Sequence, residues 1–161
     1  YKKYWGKDGK RGGITVSGGE PMLQMEFVMA LFELAHQRGV HTVLDTAGQS
    51  YRADAADQRA FERLMDVTDL VMLDLKAMDE KLHRRVTGTS NANILAMARK
   101  LSDMGKPMWI RHVLVPGLTD SEDDLRQMAA FIGTLKTPTP ASRAFWNGSL
   151  MNTPARKRAA G

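Results

Sequence analysis

Four short apolar runs, each ending in polar residues and each followed by a helical pattern, constrain this chain more than any other feature. The runs are Ile14-Thr15-Val16, Val40 to Leu44, Leu70 to Leu73 and Met108 to Val115, about 30 residues apart, which is the length of a strand–helix–strand unit. Near-continuous apolar strands point to a parallel sheet covered by helices. Between the runs, apolar residues recur at helical spacing. The sets are Met25, Val28, Phe32 and Ala35; Ala60, Phe61, Leu64 and Met65; Ile94, Leu95, Ala98, Leu101 and Met104; and Leu125, Met128, Ala129 and Ile132. A shorter helix is expected near Glu80 to Val86. Pro21 suits a first helical turn, Gly39 and Gly105 suit helix stops, and Thr119 with Glu122 reads as a capping box. The order βαβαβαβα defines an α/β chain. Its periodicity leaves a small open sheet and part of a barrel as alternatives.

The regular pattern occupies residues 14–136. Residues 1–13 form a basic, glycine-containing lead-in. After Thr137-Pro138-Thr139-Pro140 the remainder, 137–161, shows no period and reads as an irregular, disordered tail. The net charge of +5 invites a nucleic-acid reading. However, the basic residues gather at the ends, at Lys2, Lys3, Lys7, Lys10, Arg11, Arg156, Lys157 and Arg158, and read as solvated termini. There is no cysteine, which excludes a disulfide or a thiolate metal site among these residues and fits a cytoplasmic location. No apolar run approaches the roughly 18 residues of a membrane span, and no signal peptide is visible. The chain begins at Tyr1 rather than Met, so a preceding segment is expected.

In parallel α/β folds ligands bind outside the carboxyl ends of the strands. Here those ends carry Glu20, Asp45, Thr46, Asp74 and Lys76, with Arg111 in the fourth run. Converging carboxylates can hold an ammonium, and Lys or Arg a carboxylate, so the rim suits a zwitterion. Gly18 and Gly19 allow backbone to approach a ligand closely, and Glu20 stands at a helix start. A tight turn with a capping Glu explains the same residues. The spacing is not that of a phosphate loop. Asp74 and Lys76, two apart, point to one side, either as an exposed ion pair or as part of a site. Asp45 is a helix cap or a rim ligand. Arg111 within an apolar strand needs an anionic partner. His36 and His83 read as helix-surface residues, His41 opens a strand, and His112 faces away from Arg111; none has metal-ligand spacing. The methionines read as core packing. Trp5, Trp109 and Trp146 make no binding box.

Taken together, Ile14-Thr15-Val16-Ser17-Gly18-Gly19-Glu20-Pro21 resembles the GGE motif of radical S-adenosylmethionine (SAM) enzymes. The segments 41–46, 71–76 and 109–117 resemble, in order, the following strands of the pyruvate formate-lyase activating enzymes, the activases of glycyl radical enzymes. The likeness spans roughly Gly12 to Leu135. It implies a partial (β/α)6 barrel with helices outside and its second to fifth strands present. It also implies that Gly18, Gly19 and Glu20 engage the SAM amino group, and that Asp74, Lys76 and Arg111 position its ribose and carboxylate. Asp45, also a SAM-site residue, would join Thr46, Met72 and Asp74 in a monovalent-cation site for Na+ or K+. The implied reaction is reductive cleavage of SAM at a [4Fe-4S] cluster, giving a 5′-deoxyadenosyl radical that takes hydrogen from a glycine of pyruvate formate-lyase. Reduced flavodoxin or ferredoxin is the implied electron donor. The family's CxxxCxxC loop would fall before Tyr1, so no cluster ligand and no catalytic residue is expected in this chain, which is read as inactive alone. A non-catalytic SAM- or partner-binding fragment and a non-functional remnant are the alternatives.

Overall fold

The computed structural model describes residues 12–136. The tail from Thr137, Trp5, Trp146 and the terminal basic residues lie outside the described residues. Strands β1 (Gly13–Val16), β2 (His41–Thr46), β3 (Leu70–Asp74) and β4 (Met108–Arg111) form one parallel sheet in the order β1-β2-β3-β4. A 3-10 turn (Pro21–Gln24) leads into helix α1 (Met25–His36); α2 (Ala55–Asp66), α3 (Glu80–Thr87), α4 (Ala92–Asp103) and α5 (Glu122–Gly133) follow. Asp54 and Asp79 cap α2 and α3 by accepting from the amides of Asp57 and Leu82, and each satisfies a donor that the first helical turn leaves open.

The strands alternate. Thr42, Leu44, Thr46, Val71, Leu73, Met108 and Ile110 are buried with the helix residues Val28, Phe32, Phe61, Leu64, Met97 and Leu101. The intervening residues Thr15, Val43, Met72 and Trp109 are only half-buried or exposed. Helices α1, α2, α4 and α5 therefore cover one face of the sheet, and among the described residues the other is bare. An open doubly wound sheet carries helices on both faces, whereas a barrel wall carries them on its outside only. The partial barrel is the architecture found.

Four expectations need correction. Strand β4 ends at Arg111, not Val115. Thr119 donates its hydroxyl to Val113 O (2.6 Å) and accepts from Val115 N (2.8 Å), so backbone groups that a ladder would use are held locally. Thr119 is therefore no capping residue; Ser121 stands at that position without a side-chain bond. Helix α5 buries Asp124, Met128 and Phe131, with Ala129 exposed; the Asp124 carboxylate turns it inward, as described below. His83 is 2% exposed, not a surface residue. Its Nδ1 lies 2.9 Å from Thr89 O and 3.1 Å from the Thr87 hydroxyl, so it ties down the end of α3.

Where the strands begin, Asp69 Oδ2 accepts from Thr42 N (2.8 Å) and from the Thr42 hydroxyl (3.2 Å), and lies 3.1 Å from His36 Nε2. Lys106 Nζ donates to Met65 O (2.6 Å) and Thr68 O (2.8 Å), closing the end of α2. Burial pushes its amine below the ordinary lysine value.

Candidate functional site

Parallel strands in register deliver their last residues to one level. Asp45 stands opposite Met72, and Asp74 opposite Arg111, all on the bare face. Arg111 extends its guanidinium across three strands. Its Nε donates to Asp74 Oδ1 at 2.7 Å, and its Nη2 pairs with Asp45 Oδ1. The remaining oxygens are also engaged. Ser17 Oγ donates to Asp45 Oδ2 (3.0 Å) and Lys76 Nζ to Asp74 Oδ2 (2.7 Å). The carboxylates are 14% and 20% exposed while Arg111 is 38% exposed, so the cations present the open side of the network. A hollow of about 560 Å³ adjoins it, lined by Met72, Asp74, Trp109, Arg111, His112 and Val113.

Glu20 forms a second knot. Its Oε1 accepts from the Thr46 hydroxyl (2.6 Å) and Met22 N (3.1 Å), and its Oε2 from Ala47 N (3.1 Å). Glu20 is thus a cap for the 3-10 turn and also a tie to the end of β2. Beside it Gly18 and Gly19 adopt φ of 91° and 56°, values that favour glycine. A Cβ at either position would have no heavy atom within 4 Å. The backbone there faces open space, as an approach path for a ligand requires.

The structure brings Gly18, Gly19, Glu20, Asp45, Asp74, Lys76 and Arg111 to one rim. Thr46 departs from this set. It is 3% exposed on the helix-covered face, with its hydroxyl committed to Glu20 and Gly48 N. Among the described residues no group of three or more His, Cys, Asp or Glu is arranged to hold a metal. Sequence reading missed Ser17 as a partner of Asp45, although its place two residues beyond Thr15 puts it on the same face. It also missed His112 as a brace: its ring nitrogens lie 2.9 Å from Leu75 O and 3.0 Å from Thr119 O.

A parallel wall with helices outside and a charged rim at the strand ends defines a barrel-type α/β protein, a class whose sites lie at the carboxyl ends of the strands. The family model for the Radical SAM superfamily matches residues 3–130, and the chain belongs to that superfamily. It is 54% identical over 136 residues to the pyruvate formate-lyase-activating enzyme of Streptococcus mutans serotype c (strain ATCC 700610 / UA159), covering 84% of this chain and 51% of that protein. Identity to the enzyme of the same name from Staphylococcus aureus (strain USA300) is 52% over 135 residues, 84% of this chain and 53% of the other. The chain thus spans about half the length of the curated relatives it matches. The crystal structure of a domain of pyruvate-formate lyase-activating enzyme from Bacteroides vulgatus ATCC 8482 superposes with a TM-score of 0.70 at 28% identity, over 78% of this chain and 74% of that one. Streptococcus suis SuiB, at 17% identity and a TM-score of 0.59 over 74% of this chain and 26% of its own, shares the fold.

Proposed function

We propose that this chain forms the SAM-cradling part of a glycyl-radical-enzyme activating protein, and that it does not generate the radical by itself. The observation that carries the reading is the Asp45–Arg111–Asp74–Lys76 network beside an open Gly18-Gly19 backbone. Two cations held at one rim by carboxylates suit a ligand carboxylate, so Lys76 and Arg111 receive that group of SAM. Gly18, Gly19 and Glu20 face its amino group, and Asp45 and Asp74 order the cations and accept from the ribose hydroxyls. Asp45 and Asp74 are already neutralised by Arg111 and Lys76, so the reading needs no Na+ or K+ there. Bound SAM supplies radical chemistry when reduced at a [4Fe-4S] cluster. Such a cluster needs thiolates, and with no cysteine in the sequence none of these residues can ligate it. The partner in this reading is a glycyl radical enzyme such as pyruvate formate-lyase, with reduced flavodoxin or ferredoxin serving the cluster.

Titration calorimetry of the full chain with SAM tests the cradle. Binding at millimolar affinity or better, abolished by Asp74→Ala, is the expected result; no binding overturns it. Anaerobic iron–sulfide reconstitution with pyruvate formate-lyase tests the second half, since a glycyl radical signal from this chain alone would refute it.

A further inference from the structure

We propose that Asp124, at the start of α5, is a positioning residue for the rim and acts through Lys76. The inference rests on the reading that Lys76 meets the SAM carboxylate. Residues 75–79 leave β3 and turn into α3, and groups from other elements clamp their backbone. Leu75 N donates to Arg111 O (2.9 Å), and His112 Nδ1 lies 2.9 Å from Leu75 O. Asn91 Nδ2 donates to Met78 O (2.7 Å) and Ala77 O (3.3 Å). Asp124 accepts from Met78 N (3.0 and 3.1 Å to its two oxygens) and from Asp79 N (2.6 Å). Leu75 and Ala77, on either side of Lys76, are 2% and 0% exposed. Lys76 is thus the outward-pointing residue of a fixed arch, with its Nζ 2.7 Å from Asp74 Oδ2.

Asp124 is the unusual member of this clamp. It is 3% exposed, and its bonds go to backbone amides rather than to a cation. A buried carboxylate is costly unless it is bonded in this way. A helix that needed only to pack would turn the adjacent Leu125 inward, yet Leu125 is half-buried and Asp124 is buried. The helix is rotated so that its carboxylate grips the arch. Loosening that grip leaves Lys76 in place chemically but no longer aimed.

The test compares SAM with 5′-methylthioadenosine, which lacks the amino-acid arm, by calorimetry on the full chain. Wild type should prefer SAM. Asp124→Asn keeps one oxygen for both amides but puts an NH2 donor in place of Oδ2, 3.1 Å from the Met78 N–H, and should weaken SAM roughly fivefold with 5′-methylthioadenosine unchanged. In a Lys76→Met background the same substitution should have no further effect on SAM. If Asp124→Asn does not fold by circular dichroism, Asn91→Ser loosens the same arch from its carbonyl side and is read the same way. Equal losses for both ligands, or a full loss in the Lys76→Met background, overturn the inference and leave the cradle standing. A wild-type chain that binds SAM no better than 5′-methylthioadenosine overturns the cradle, and the inference with it.

Discussion

Where the strands begin, Asp69 spends one oxygen on the Thr42 amide, the Thr42 hydroxyl and the His36 ring, and Lys106 closes the carbonyls of Met65, in the last turn of α2, and Thr68, just beyond it. Where the strands end, Asp45 and Asp74 share Arg111, and Asp74 also takes Lys76. The first set of charges is tied mostly to neighbouring backbone, which cannot leave without unfolding the element it belongs to. The second is tied to side chains, which can exchange partners without unfolding a strand. In the proposed reading the same residue types therefore serve stability at one end and recognition at the other. In barrels of this kind the two ends generally divide in that way.

The comparison breaks most clearly at Arg111. Arg111→Met should lower SAM affinity at least about tenfold, near 1.4 kcal/mol. It should lower unfolding free energy by at most about 1 kcal/mol, since the guanidinium is partly exposed and Asp45 and Asp74 keep Ser17 and Lys76 as partners. Calorimetry and urea unfolding read the two effects, and a stability loss larger than the binding loss would erase the distinction. Asp69→Ala should do the reverse, destabilising by about 1–3 kcal/mol through the orphaned Thr42 amide with SAM affinity unchanged. The smallest effect is the pH dependence of the same carboxyl. Burial raises the Asp69 pKa, but the Thr42 amide and His36 outweigh it, and the net value lies below the ordinary 3.8. A depressed carboxyl stabilises the fold above its unfolded value, and that contribution is lost as pH falls through the folded value. Thermal melts should therefore drop below about pH 4, and Asp69→Asn should flatten that part of the profile.

Much of this was legible in the chain. Strand positions followed from short apolar runs, and the rim from polar residues that close them; Arg111 announced itself as a charge inside an apolar strand. What stayed hidden depended on partners far along the chain. Asp124 meets residues 78 and 79 only because α5 returns to the end of β3. His83 reads as a surface residue until the Thr87–Thr89 turn folds over it. Thr119 followed by Glu122 carries a cap pattern, yet its hydroxyl bonds backward to Val113 and Val115, which local spacing alone could not reveal. The bare face was hidden as well, because an apolar strand inside a barrel and one between two helix layers have the same composition.

The register Asp45↔Met72 and Asp74↔Arg111 has a consequence for how the chain finds its fold. A strand that paired one residue out of step would turn every side chain to the other face. Asp45, Asp74 or Arg111 would then enter the apolar layer under the helices while its partner stayed outside. Misaligned sheets of this chain are thus rejected by the same ion pairs that shape the rim, and the charged rim doubles as the alignment key for folding.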